Sequence, residues 1–126
     1  MSLVLDAGAL IALERDASAL WERMEEAHRV GYPPLTHGGV VAQVWRGGSG
    51  RQFRLARALF GTIVVPLDES LGRRAGVLQA RAGRFDAIDA ALVAMCSSGD
   101  QIVTSDPHDI AALADAARLD VDILLA

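Results

Sequence analysis

The sequence has no lysine; all twelve basic residues are arginine. Several chemistries are excluded by that absence. A P-loop sets a lysine on the nucleotide phosphates, and Schiff-base enzymes need a lysine amine. Phospho-receivers and haloacid-dehalogenase-type phosphotransferases, small folds with aspartates at strand ends, normally need one too. All-arginine usage is equally what a GC-rich genome produces. Cysteine occurs once, at Cys96, which rules out an internal disulfide and a cysteine-based zinc site. Histidine is sparse: His28, His37 and His108 lack metal-ligand spacing and read as surface or capping residues. The longest apolar runs, Gly8 to Leu13 and Ala90 to Cys96, fall well short of the roughly 20 residues of a membrane helix. No basic segment opens the chain, and Asp6 stands where a secretory apolar core would be. The expectation is therefore no signal peptide, no membrane and a cytoplasmic location.

What is present is a chain of 126 residues, 52% apolar and 22% charged, which fits one soluble globular domain over residues 1–126. Its net charge of −4 conceals an asymmetry: residues 1–45 carry −3, residues 46–84 carry +6 and residues 85–126 carry −7. A basic middle beside an acidic end suggests a cation site next to an anion-binding surface, although the arginines could equally be solvated helix faces.

Apolar strands alternate with helices along the chain. Strands are expected at Leu3–Leu5, at a brief stretch ending in Leu35-Thr36, at Thr62–Pro66, Gln101–Thr104 and Val121–Leu125. Helices are expected at Ala9–Glu14, Ser18–Arg29, His37–Arg46 capped by Thr36, and Gly50–Phe60 capped by Ser49. Three more follow: from Asp68 to Ala82 with Gly83 as terminator, Asp86–Ser98, and from Asp106-Pro107 to Leu119. About five strands and six or seven helices in this order make an α/β fold with a parallel sheet covered on both faces.

Asp6 and Asp106 each follow a predicted strand, and in such sheets ligands bind beyond the carboxyl ends of the strands. Asp89 lies in the first turn of a helix that is otherwise apolar, with Asp86 one turn away on the same face. Clustered carboxylates raise one another's pKa unless a cation sits among them. Oxygen donors without His or Cys suit Mg²⁺ or Mn²⁺, which can activate water at a phosphoryl group. Each aspartate also has a structural alternative. Asp106 and Asp86 are good helix caps, Asp109 suits a helix N-terminus, and Asp6 could form a buried turn. Asp89 is the hardest to explain this way, because a carboxylate among apolar neighbours needs a partner. Trp21 and Trp45 read as packing or dimer-interface residues, and Cys96 as a buried small hydrophobe.

Three segments together resemble a known family. Val4-Leu5-Asp6-Ala7-Gly8-Ala9-Leu10-Ile11-Ala12-Leu13, Asp89-Ala90-Ala91-Leu92-Val93-Ala94 and Val103-Thr104-Ser105-Asp106 look like the PIN-domain ribonucleases, in particular the VapC-type toxins of toxin–antitoxin pairs. The likeness runs in order over nearly the whole chain. It implies a PIN-like three-layer α/β/α fold with sheet order 3-2-1-4-5, and Mg²⁺- or Mn²⁺-dependent cleavage of RNA. It also implies a homodimer and neutralisation by a cognate VapB-type antitoxin. Position by position, Asp6, Asp89 and Asp106 match the family's acidic metal ligands, and Thr104 matches a supporting hydroxyl. One position departs. Gln43 stands where the family usually has a glutamate, and an amide contributes no charge. Asp86 could supply that charge from the neighbouring helix. Arg46, Arg51, Arg54 and Arg84 would hold RNA phosphates, for which arginine's bidentate geometry is suited. An antitoxin would use an apolar groove around Leu20, Trp21, Met24 and Trp45. The Gln43 departure keeps open a catalytically weakened, PIN-like RNA-binding module, and a protein-interaction domain without nucleic acid is the third reading.

Overall fold

The computed structural model describes residues 1–48 and 50–126. Its five strands are β1 (Leu3–Leu5), β2 (Leu35–His37), β3 (Ile63–Val65), β4 (Gln101–Thr104) and β5 (Asp122–Leu125). All neighbours pair in parallel, in the order β3-β2-β1-β4-β5. This is the sheet order that the family resemblance implied. The described helices are α1 (Ala7–Glu14), α2 (Ser18–Arg29), α3 (Gly38–Val44), α4 (Phe53–Phe60), α5 (Glu69–Ala82), α6 (Ala87–Ala94) and α7 (Pro107–Ala117). Helices α2, α3 and α4 each pack on α1, and α5, α6 and α7 pack on one another, while α1 meets β4, α6 meets β2 and α7 meets β5.

β1 is central, and Leu3, Val4 and Leu5 are all buried, which is why that strand reads as unbroken apolar sequence. Leu10 and Leu13 of α1, Leu92 and Val93 of α6, and Ile102 of β4 complete the middle of the core. β1 and β4 are in register from Leu3 with Gln101 to Leu5 with Val103, so Asp6 directly after β1 and Asp106 two residues after β4 leave the sheet at the same end. No described helix is long and apolar enough to cross a membrane.

Several expected boundaries move, for identifiable reasons. Thr36 does not cap α3. It lies within β2, and its buried hydroxyl donates to the Leu5 carbonyl at 2.7 Å. His37 takes the cap instead, its Nδ1 accepting from Gly39 N–H at 3.1 Å, so α3 covers Gly38–Val44 rather than His37–Arg46. α4 starts at Phe53 rather than Gly50, because Gly47, Gly48 and Gly50 all have positive φ, which a helix cannot use. The proposed Ser49 cap lies outside the described residues. α6 stops at Ala94, short of Ser98; the buried Asp100 accepts from Ser97 N–H at 2.8 Å and draws the chain into a turn. α5 ends as expected, with Gly83 in the left-handed conformation at φ 64°. The buried Cys96 packs in the core, and burial pushes its thiol up to about 12.

Candidate functional site

Asp6 closes β1 and caps α1. Its Oδ1 accepts from Ala9 N–H at 2.9 Å and its Oδ2 from Ser105 N–H at 3.3 Å, so one buried carboxylate ties the end of β1 to the end of β4. The junction is tight. A Cβ on Gly8 would lie 2.3 Å from Ser105 Oγ and 2.5 Å from its Cβ, so only glycine permits this approach.

Asp106 occupies the N-cap position of α7, with Pro107 following. Its side chain makes no capping bond, contrary to the structural alternative for this residue. The backbone holds it instead: Asp106 N–H donates to the buried Thr104 Oγ1 at 2.9 Å. The carboxylate is thus exposed and left available.

Asp86 does cap α6, its Oδ1 accepting from Ile88 N–H and Asp89 N–H at 3.1 and 3.0 Å. Asp89, one turn in, is partly buried and accepts no hydrogen bond from a described residue. Burial pushes its carboxyl up to about 6, and the charges of Asp86, Asp6, Asp106 and Asp109 add to the shift. Carboxylates from β1, α6, β4 and α7 therefore meet electrostatically at one rim of the sheet. The Asp106 carboxyl is raised as well, by desolvation and by its neighbour Asp109.

Asp109, expected only to suit a helix N-terminus, also belongs to this cluster. Its signal was present: it stands three residues after Asp106, the spacing that places Asp86 and Asp89 on one face. Arg84 pairs with it at 3.0 Å, so this arginine contacts the acidic rim and not only solvent. Arg46 is also engaged, with guanidinium bonds to the Ala42, Gln43 and Trp45 carbonyls at the end of α3. Arg54 lies 3.8 Å from Asp16 and over the Phe53 ring, while Arg51 is exposed. Gln43 is exposed on α3 and makes no side-chain hydrogen bond to a described residue.

The expected apolar groove is only partly formed. Leu20 and Met24 are buried in the core, and Trp21 is half-buried, with its indole N–H on the Leu13 carbonyl and Arg57 over its ring. Trp45 is exposed beyond α3 and does not join the core. A cleft of about 440 Å³ instead runs between Trp21 and Phe53, with Glu22, Arg54 and Arg57 along it.

The rim's donor set fits a hard divalent ion. It offers only carboxylate oxygen, and its mutual repulsion is what a cation relieves. As the side chains stand, no three His, Cys, Asp or Glu among the described residues enclose an ion position.

No family model and no curated protein matches the sequence. Among solved structures, the chain matches the crystal structure of VapBC2 from Rickettsia felis bound to a DNA fragment from their promoter, at a TM-score of 0.73 and 12% identity, over 98% of each chain. The chain has a VapC-like PIN fold. In the PIN fold seen here, the rim carrying Asp6, Asp89 and Asp106 lies beyond the carboxyl ends of β1 and β4, where the strand order turns back across the central strand.

Proposed function

We propose that the protein is a VapC-type toxin: a divalent-metal-dependent endoribonuclease that hydrolyses RNA phosphodiester bonds and is neutralised by a VapB-type antitoxin. What supports this reading is a VapC-like fold in which Asp6 and Asp106 follow the neighbouring strands β1 and β4 and the charges of both raise the Asp89 carboxyl. Asp6 and Asp89 would hold Mg²⁺ or Mn²⁺ directly, with Asp106 binding it directly or through water. When bound, that ion supplies the positive charge that offsets negative charge developing on phosphate oxygens during hydrolysis.

The chain's own groups do the rest. Ser105 N–H and Ala9 N–H orient the Asp6 carboxylate, and Thr104 orients Asp106 through its backbone. Asp86 fixes the first turn of α6 through Oδ1 and adds its charge beside Asp89, where it would make up part of the charge that Gln43 lacks. Arg51 and Arg54 would hold RNA phosphates, joined by Arg84 and Arg46 on release from their internal partners.

The test is cleavage of structured RNA in Mg²⁺ and in Mn²⁺. Asp89→Ala is expected to lose more than about a hundredfold in rate, since it removes a ligand rather than a supporting group. Equal, low activity in wild type and Asp89→Ala would favour the binding-module reading that Gln43 motivates. RNA retention should also fall steeply with salt. Arg51→Gln is expected to weaken binding and to reduce the log–log salt slope by about 0.7, the value for one phosphate contact on a single strand. An unchanged slope would remove Arg51 from the interface.

The partners follow the same reading. An antitoxin helix would lay its apolar face into the cleft between Trp21 and Phe53. Phe60, Ile63 and Val64, exposed at the β3 edge, would be covered in a homodimer.

A further inference from the structure

His37 is fully buried at the end of β2, and nothing in the proposed hydrolysis uses it. Its ring spans two elements. Gly39 N–H donates to Nδ1, so the ring proton resides on Nε2, and Nε2–H donates to the Ile88 carbonyl at 2.9 Å. Ile88 immediately precedes Asp89. The peptide unit between them is thus held at both ends: its oxygen by His37, and its N–H by Asp86 Oδ1 at 3.0 Å. The same contact is enclosed by close packing. A Cβ on Gly39 would lie 2.6 Å from Ile88 Cδ1 and 2.9 Å from His37 Cε1, so the first turn of α3 presses on the first turn of α6.

We propose that His37 is a positioning residue that sets the direction of the Asp89 carboxylate by clamping the Ile88–Asp89 peptide unit. It touches neither substrate nor ion. It acts through the backbone from which Asp89 projects, and it couples the end of β2 to the first turn of α6. The inference rests on the nuclease reading for its purpose, but the clamp itself can be tested without it.

Two substitutions separate the ring's two bonds. His37→Asn keeps an acceptor near the Nδ1 position and so keeps the α3 cap, but has no donor for Ile88. His37→Gln reaches the Nε2 position and keeps that donor, but loses the cap. Positioning predicts that His37→Asn lowers kcat about tenfold with KM for RNA unchanged, the scale of one buried hydrogen bond. It predicts that His37→Gln keeps kcat near wild type while its Tm falls through loss of the cap. A purely structural role predicts that activity follows Tm in both. Amide hydrogen exchange at Asp89, measured on the metal-free protein, supplies the readout that needs no activity. It should be about tenfold faster in His37→Asn and unchanged in His37→Gln. Wild-type exchange in His37→Asn, or equal impairment in both variants, would overturn the proposal. If wild type cleaves no RNA in either metal, the nuclease reading is lost, and the exchange comparison still decides the clamp.

Discussion

Asp89→Asn is expected to make the metal-free protein more stable and, at the same time, inactive. The Asp89 carboxyl sits near 6 in the fold, against an ordinary value of 3.8 in the unfolded chain, chiefly through burial and then through four neighbouring aspartates. Between about pH 4 and pH 6 the folded state keeps a proton that the unfolded state has released. Stability therefore falls as pH rises through that window, and the full penalty is in place above it. Asparagine mimics the protonated form and escapes the penalty. For a half-buried group, after solvent screening, the gain is on the order of 1 kcal/mol, or a few degrees in Tm, at pH 7.5. The gain should vanish near pH 4, where both side chains are neutral. Added Mg²⁺ should reverse the ranking, because an ion that binds only the folded wild type raises its Tm by mass action and has lost a ligand in the variant. Thermal melts at pH 4 and pH 7.5, with chelator and with Mg²⁺, check all of this. A lower Tm for Asp89→Asn at pH 7.5 in chelator would show that its carboxylate is not under strain.

Gly8→Ala should be the most damaging small substitution in the chain. The added methyl would overlap Ser105 Oγ and Cβ, at 2.3 and 2.5 Å, and touch Ser105 N at 3.0 Å. Rotating the hydroxyl relieves the first overlap only; the Cβ and the backbone cannot move without shifting the end of β4. That shift breaks the bond from Ser105 N–H to Asp6 and moves Asp106 beside it. The expected cost is about 3 kcal/mol, near the upper end for overpacking, or roughly 10 °C in Tm. Cleavage should fall further than stability alone explains, because two rim aspartates are displaced together. Ser105→Gly in the same chain removes the worst overlaps and should restore much of the loss, the coupling expected of residues in contact. Calorimetry of the two single variants and the double variant measures it. Additive losses would mean that the Gly8–Ser105 contact is not the cause.

Much of the fold could be read from local pattern. The stretches Leu3–Leu5 and Gln101–Thr104, each with an aspartate one or two residues beyond, became neighbouring strands in register. Asp68 and Gly83 bracket α5 as a cap and a left-handed terminator, a signal contained within single turns of chain. Boundaries moved where a partner remote in sequence competed. Thr36 lost its capping role to β1, 31 residues away, because its hydroxyl reaches the Leu5 carbonyl. The arginines show the same limit. Arg46 and Arg84 are expected at RNA phosphates, and in the structure their guanidinium groups hold a nearby carbonyl and carboxylate that composition does not reveal.

The sequence by itself determined the alternation of strands and helices, the oxygen-only chemistry of the rim, and the oddity of Asp89 among apolar neighbours. These depend on residue type and on spacing of a few positions. Tertiary structure alone decided that Asp106 leaves its carboxylate uncapped while Asp86 does not, and that a buried histidine from β2 grips the peptide before Asp89. Each of these depends on which backbone donor or acceptor lies within about 3 Å of a side chain. That distance is set by how the helices settle on the sheet, and no local run of residues encodes it.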